Sequence, residues 1–423
     1  MHKVYVEDYG CWLNKALAAY IRQLVAREAV IVERAEEADA VIVNTCAVRA
    51  ESERKVLARL RELARMGKRV AVTGCLVNVR PYSIVEAAPG ASLIEPSCLD
   101  EIEKFLRGED VWCVREYRRA AFAARYNGGV RFAVPIQVGC TGSCSFCVEP
   151  IVRRGVASLE PDRVVELVAD AVRRGAKEVY LTGQDVAAYG VDLGTRLTDL
   201  LQRILSEVDG EYRLRLGMME PWMVSRLARD LAALMRDRRV YKYLHLPLQS
   251  GDDGVLKLMK RKYTVSEYEQ LVSFFRREVG ELSVVTDMIV GFPGETQEAF
   301  MRSVEAVRRL RFDKVHVARY TFRPFTPAYV AGNTVPEPEK KRRSRVLSQV
   351  ALRVAAEVNS SYVGRELYAL VCERGEREGT LVARTDAYKP VVVPEGAKLG
   401  EWVKVRIRGF TPVSYTHLTL PTS

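Results

Sequence analysis

Gly139-Cys140-Thr141-Gly142-Ser143-Cys144-Ser145-Phe146-Cys147 sets three thiols at C-x3-C-x2-C spacing, directly after an apolar, strand-like run from Phe132 to Val138. The cysteines therefore belong to a loop at the C-terminal end of a strand. Cysteines this closely spaced indicate metal. Zinc knuckles bring four ligands, and iron–sulfur clusters are ordinarily held by four thiolates. A compact group of three instead suggests a cluster that keeps one iron for another ligand. The competing readings are a cysteine-rich turn without metal and a zinc-stabilised RNA-binding protein without catalysis.

The surrounding chain is long enough, at 423 residues, for two or three domains with separate cores. Its 48% hydrophobic and 28% charged residues are the balance of a soluble globular protein. No run approaches the roughly 20 apolar residues of a membrane span, and Met1-His2-Lys3-Val4-Tyr5 begins a strand rather than a signal peptide. The expectation is a cytoplasmic protein with no membrane partner. Nine cysteines, an odd number, fit reduced thiols and metal better than a disulfide framework. A formal charge of +11 points to a polyanionic partner, nucleic acid first.

Upstream of the motif, residues 1–112 alternate strand-like runs (Lys3–Glu7, Ala40–Asn44, Arg69–Thr73) with helical patterns (Lys15–Glu28, Glu51–Met66). Strand–helix alternation predicts a parallel, doubly wound sheet. Cys11, Cys46 and Cys75 each follow one of these strands. In a parallel sheet such positions share the C-terminal edge, where open α/β sheets place their sites. Three distant thiols thus converge into a second candidate metal site. Cys98, Cys113 and Cys372 have no ligand spacing and read as small buried hydrophobes.

A linker, Arg115 to Gly129, leads to a central domain taken as 126–358. Six strand patterns (Arg131–Val138, Glu178–Thr182, Arg213–Met218, Tyr243–Pro247, Val284–Val290, Lys314–Tyr320) alternate with helices at Pro161–Arg174, Leu197–Val208, Met223–Met235, Val265–Glu278 and Gln297–Arg309. A full eight-unit barrel needs about 250 residues, so a partial (β/α)6 barrel is expected, with its chemistry on the loops after the strands. Those loops carry the three-cysteine group, Gly183-Gln184-Asp185, Glu220-Pro221, Gln249-Ser250-Gly251 and Gly291-Phe292-Pro293-Gly294-Glu295.

The basic run Lys340-Lys341-Arg342-Arg343-Ser344-Arg345 opens a helix reaching about Ser361, and it reads as a solvated face before it reads as an RNA contact. Residues 361–412 contain four short β-type runs, which predicts a small antiparallel barrel of the kind that binds oligonucleotides. Between 336 and 412 there are 15 Lys+Arg against 10 Asp+Glu, which favours that role. The last segment, 413–423 (VSYTHLTLPTS), matches a translated sequencing-library adapter; on that reading the final strand of a truncated barrel has been replaced, the alternative being a genuine strand in the alternating run Ser414–Leu420.

The motif at Cys140–Cys147 resembles that of the radical S-adenosylmethionine enzymes, with Phe146 as the aromatic residue before the last cysteine. The resemblance implies that Cys140, Cys144 and Cys147 hold a 4Fe-4S cluster. Its open iron binds S-adenosyl-L-methionine, which one electron converts to a 5′-deoxyadenosyl radical. It also implies that Gly183, Gln184 and Asp185 meet the methionine amino group, with Glu220, Gln249 and Arg261 as further cofactor or substrate contacts.

In domain order the chain to Pro412 resembles the methylthiotransferases, whose terminal barrel is called TRAM. Tyr9-Gly10-Cys11, Asn44-Thr45-Cys46, Thr73-Gly74-Cys75, Pro247-Leu248-Gln249-Ser250-Gly251 and Gly291-Phe292-Pro293-Gly294-Glu295-Thr296 carry that likeness. It implies a second 4Fe-4S cluster on Cys11, Cys46 and Cys75. It further implies a tRNA anticodon stem-loop as partner, an electron donor, and a sulfur source.

Leu244-His245-Leu246-Pro247, Met259-Lys260-Arg261 and Tyr9-Gly10-Cys11-Trp12-Leu13-Asn14 look most like the branch acting on N6-threonylcarbamoyladenosine. The alternatives are isopentenyladenosine in tRNA and an aspartate of a ribosomal protein. Glu220 stands where that branch would have Asn, and Phe325 where Gly is usual after Arg-Pro.

Overall fold

The structure is a computed structural model that describes residues 2–47, 50–114, 124–153, 155–394 and 396–419. Of the expected linker, residues 115–123 lie outside the described residues.

The N-terminal region runs β1 (Lys3–Asp8), α1 (Trp12–Val25), β2 (Val30–Ile31), β3 (Ala40–Thr45), α2 (Ala50–Arg65), β4 (Arg69–Gly74), α3 (Cys75–Val79), α4 (Pro81–Ala87), β5 (Ser92–Ile94), α5 (Ile102–Leu106) and β6 (Trp112–Cys113). Its six strands are all parallel, in the order β2-β1-β3-β4-β5-β6. β3 is buried at every position, as a strand covered on both faces must be. One face packs Leu13, Leu17 and Ile21 of α1 with Phe105 of α5. The other packs Val56, Leu60 and Leu63, one stripe of α2, with Ile84 of α4. The sheet is thus doubly wound, and its chain direction reverses at β1 and β3.

The reduced-thiol expectation fails at one place: Cys98 and Cys113 form a disulfide. Parallel pairing of β5 with β6 sets Ile94 opposite Cys113, and the turn after β5 carries Cys98 back against it. No local spacing in the sequence announces this, because the sheet makes the contact.

The central region begins with β7 (Arg131–Pro135), β8 (Gln137–Gly139), α6 (Glu149–Val152), β9 (Val156–Ser158) and α7 (Pro161–Arg173). Then follow β10 (Glu178–Thr182), α8 (Leu197–Glu207), β11 (Arg213–Leu216), α9 (Pro221–Leu234), β12 (Tyr243–His245), α10 (Asp253–Leu258) and α11 (Val265–Val279). It closes with β13 (Ser283–Val290), α12 (Gln297–Leu310), β14 (Lys314–Arg319), α13 (Pro327–Val330) and α14 (Glu337–Ser360). β11-β10-β7 and β12-β13-β14 are two parallel three-stranded halves, joined by bridges at Leu214–Val240 and Met218–His245. They make the expected six-stranded partial barrel.

The single strand expected at Arg131–Val138 is instead two. After Pro135 the chain leaves the barrel, and β8 pairs antiparallel with β9. The basic run that opens α14 is not a solvated face throughout. Lys340 is fully buried, bonding the Tyr320 carbonyl and Asn333, while Arg343 pairs with Glu295.

β15 (Glu366–Arg374), β16 (Thr380–Thr385), β17 (Pro390–Pro394), β18 (Trp402–Phe410) and β19 (Tyr415–Thr419) form a closed barrel in the order β15-β16-β17-β19-β18. β19 lies in the segment expected to leave the barrel incomplete. Its backbone nonetheless pairs antiparallel with β18 and parallel with β17, so the barrel is closed and is not antiparallel at every seam.

This barrel caps the N-terminal ends of the central strands. Arg131 pairs with Glu373 at 2.8 Å, Arg213 with Asp386 at 2.8 Å, and Lys389 with Asp313. Buried Glu178 accepts from Tyr241 Oη at 3.0 Å and from Cys372 Sγ at 3.2 Å. Tyr388, at φ 60°, packs edge-on against Tyr241 and Tyr243. The opposite, C-terminal rim stays free for the loops.

Candidate active site

Cys140, Cys144 and Cys147 lie on the loop after β8, each partly buried. Gly139, at φ +83°, starts that loop; a Cβ there would lie 1.7 Å from the Gly155 carbonyl, so only glycine lets the loop leave the β8–β9 ribbon. Ser145 fastens its middle: its N–H donates to the Met259 carbonyl at 3.1 Å and its hydroxyl to the Leu258 carbonyl at 2.7 Å. Phe146 packs edge-on against Phe292 of the fifth rim loop. The Gly142 N–H donates to Cys140 Sγ at 3.2 Å. Arg261 Nη1 donates to Cys144 Sγ at 3.1 Å. In the metal-free chain burial pushes the Cys140 thiol up to about 12, with Asp185 adding to it. Thiols held in so dry a place ionise when a metal centre takes the charge.

The rim residues named from sequence divide into braces and open acceptors. Gln184 is a brace: its Oε1 accepts from the Gly139 N–H at 2.8 Å and its Nε2 donates to Glu149 at 3.1 Å. Gly183 allows close approach, since a Cβ there would lie 2.3 Å from Gln137 Oε1. Arg261 is fully engaged by Cys144, the Pro247 carbonyl, Tyr263 and Glu220, the last at 3.0 Å. Glu220 also caps α9 by accepting from the Met223 N–H.

Asp185 and Gln249 differ. Asp185 is buried; its Oδ1 accepts from the Glu220 N–H at 2.9 Å, and its Oδ2 has no partner. Burial raises its carboxyl to about 7. Gln249, at φ 69°, likewise buries an unpartnered Oε1. Two orphaned acceptors beside a thiol triad fit the ammonium and hydroxyl donors of S-adenosylmethionine.

The second triad assembles as strand order demands. β1, β3 and β4 are neighbours in a register that sets Asp8 opposite Asn44, Asn44 opposite Thr73, and Thr45 opposite Gly74. Cys11, Cys46 and Cys75 follow at one level. Gly10 lies against Cys46, where a Cβ would be 2.9 Å from the Cys46 Cβ. Beneath them Asn14 Nδ2 donates to the Tyr9 and Thr45 carbonyls, and Asn44 Nδ2 to the Asn14 carbonyl. Cys75 is buried, which raises its thiol, and Cys46 and Cys11 act on it as charges.

Between the triads stands α6. Glu149 faces Gln184; burial raises both Cys75 of one triad and Cys147 of the other, and the Glu149 charge adds to each. Asn78 of α3 donates to the Val152 carbonyl at 3.2 Å, tying the two sheets together there. Sequence reasoning missed Glu149. It also passed over Arg215, Asp287 and His316, and it quoted His245 only as a branch mark. Arg215 and His316 each stand between apolar neighbours in a barrel strand, Leu214-Arg215-Leu216 and Val315-His316-Val317, a signal that was there to be read.

A partial parallel barrel with three thiols on its C-terminal rim, beside buried open acceptors, defines a radical S-adenosylmethionine enzyme. Residues 134–307 match the Radical SAM superfamily, residues 3–95 match "Uncharacterized protein family UPF0004", and residues 360–412 match the TRAM domain. The chain is 40% identical over 419 residues to a probable threonylcarbamoyladenosine tRNA methylthiotransferase of Pyrococcus horikoshii, covering 96% of this chain and 97% of the relative. It is 36% identical over 409 residues to the tRNA-2-methylthio-N(6)-dimethylallyladenosine synthase of a Roseiflexus species, covering 92% and 83%. The fold is also that of TsrM, a radical S-adenosylmethionine methyltransferase from Kitasatospora setae solved with cobalamin and a [4Fe-4S] cluster, at TM-score 0.57 and 17% identity over 77% of each chain. The chain belongs to the radical S-adenosylmethionine methylthiotransferase family.

Proposed function

We propose that the protein transfers a methylthio group to C2 of N6-threonylcarbamoyladenosine beside the tRNA anticodon. The observation that carries this reading is the pairing of two thiol triads, one at the C-terminal edge of the N-terminal parallel sheet and one on the loop after β8, on either side of Glu149. Archaeal relatives named for that substrate, at 34–40% identity over nearly the whole chain, support the choice of acceptor.

Cys140, Cys144 and Cys147 would hold the cluster that, once loaded, supplies reductive cleavage of S-adenosylmethionine. Cys11, Cys46 and Cys75 would hold a second 4Fe-4S cluster and the sulfur to be transferred. Asp185 and Gln249 offer acceptors to S-adenosylmethionine, while Gln184, Gly183, Glu220 and Arg261 keep the cysteine loop and those acceptors in register. Arg261 ties Cys144 to Glu220. The capped barrel floor keeps bulk water out. The terminal barrel would grip the anticodon stem-loop, and an electron donor and a sulfur source complete the cycle. The chain would work in the cytoplasm; none of its described helices is long and apolar enough to cross a membrane.

The test is anaerobic reconstitution followed by nucleoside analysis of tRNA. About eight irons per chain, from two four-iron clusters, and accumulation of 2-methylthio-N6-threonylcarbamoyladenosine are expected. Four irons would remove the second cluster, and methylthiolated isopentenyladenosine would reassign the acceptor.

A further inference from the structure

Inside the barrel, one layer below the rim, lies a polar group that none of the cluster or cofactor assignments uses. Arg215 of β11 is 6% exposed. Its Nη2 donates to Tyr243 Oη at 2.8 Å, but its Nε and Nη1 have no partner. The guanidinium lies 3.9 Å from the Tyr180 ring centre and 4.4 Å from that of Tyr243. Aromatic faces offset part of the cost of burying a cation. They leave Nε–H and Nη1–H, on opposite edges of the guanidinium, without an acceptor, in a place where an unmet donor is expensive. A buried cation with open donors calls for an anionic oxygen, which a carboxylate supplies.

Two residues along β12 from Tyr243, on the same face, His245 Nε2 meets Asp287 Oδ2 at 2.8 Å. His316, the cross-strand neighbour of Asp287, completes a cluster whose ligand-type atoms all lie within 4.8 Å of one another. The side chains of His245 and Asp287 are 16% and 26% exposed, so a solute reaches them. The cluster offers both donor and acceptor, roughly 7 Å below Pro247 at the usual strand rise. Trp12, next to Cys11 of the N-terminal triad, stacks on Tyr180 at 4.7 Å and walls the same space. Trp12 thereby connects the Arg215–Tyr180 group to the loop of the N-terminal triad.

We infer that Arg215, with His245, Asp287 and His316, is the subsite that reads the substituent on the acceptor base, and that Arg215 pairs with its carboxylate. The inference rests on the proposed acceptor. A threonylcarbamoyl group carries a carboxylate for Arg215, and a hydroxyl and ureido N–H groups for the His–Asp cluster. A dimethylallyl group would leave the Nε and Nη1 donors of Arg215 unmet, and a site built to hydrogen-bond its ligand rejects such analogues strongly.

The test compares two anticodon stem-loop RNAs, one with N6-threonylcarbamoyladenosine as the free acid and one with its methyl ester. The reconstituted wild-type enzyme is expected to prefer the acid in kcat/KM by on the order of 10–100-fold, the range for a lost charge-assisted bond. Arg215→Met is expected to erase that preference. Its iron content and uncoupled 5′-deoxyadenosine formation, which do not involve the acceptor, should stay as in wild type, and Arg215→Lys should restore part of the preference. Wild type treating acid and ester alike would overturn the proposal without any variant having to fold. So would an Arg215→Met enzyme that still prefers the acid. An enzyme active on isopentenyladenosine RNA and on neither test RNA would refute the acceptor reading, and the subsite with it.

Discussion

The two cysteine triads reach similar environments by opposite routes. Cys140, Cys144 and Cys147 sit within eight residues, on a loop closed by its own contacts to Leu258, Met259 and Phe292. Cys11, Cys46 and Cys75 meet only because β1, β3 and β4 lie side by side in the correct register. A locally built site survives as long as its loop does. A site assembled by a sheet depends on the stability of the whole domain, so perturbations far from its thiols reach it.

The widest separation between the two should come from removing ligands. Cys140→Ala, Cys144→Ala, Cys147→Ala is expected to abolish 5′-deoxyadenosine formation while keeping about half of the wild-type iron, the share of one four-iron cluster of two. Cys11→Ala, Cys46→Ala, Cys75→Ala should keep 5′-deoxyadenosine formation and lose all methylthiolated product. Iron analysis and chromatography of both products read the pair, and loss of cleavage in the second variant would break the separation.

Next, the Cys98–Cys113 bridge spans 15 residues on the sheet that carries the dispersed triad. Cys98→Ala, Cys113→Ala should lower unfolding stability of the N-terminal domain by about 3 kcal/mol on chain entropy alone. Denaturant titration would show this, with 5′-deoxyadenosine formation unchanged.

Gly74→Ala should cost about 2 kcal/mol and reduce the N-terminal iron selectively. Gly74 has φ +91°, and a Cβ there would lie 2.4 Å from the Thr45 carbonyl, one residue from both Cys46 and Cys75. The smallest effect is a gain. Phe325 holds φ 67° with its ring 75% exposed, so Phe325→Gly should stabilise the chain by about 1 kcal/mol in a melting experiment.

The contrast also explains what could be read before the fold was known. The C-x3-C-x2-C loop and the six barrel strands were legible because each is written in local spacing and period. Cys11, Cys46 and Cys75 were legible because their placement after strands is local, even though their meeting is not. The Cys98–Cys113 bridge was not, since only pairing of β5 with β6 creates it. The division of the rim residues into braces and open acceptors also needed coordinates: nothing in Gly183-Gln184-Asp185 says that Gln184 is consumed by Gly139 and Glu149 while Asp185 keeps a bare oxygen. Phe325 was noticed as a departure from glycine, and its positive φ gives the reason glycine is at home there.

Tyr388, Cys372 and Glu373 reach from the terminal barrel into the lower end of the central one. The terminal domain is thus not a detachable handle for RNA. It is the floor of the reaction vessel, and a chimera that exchanges it for another RNA-binding module would uncover Glu178 and Tyr241 to solvent. The terminal barrel closes the central one, so domain grafting there should open the radical's container to water.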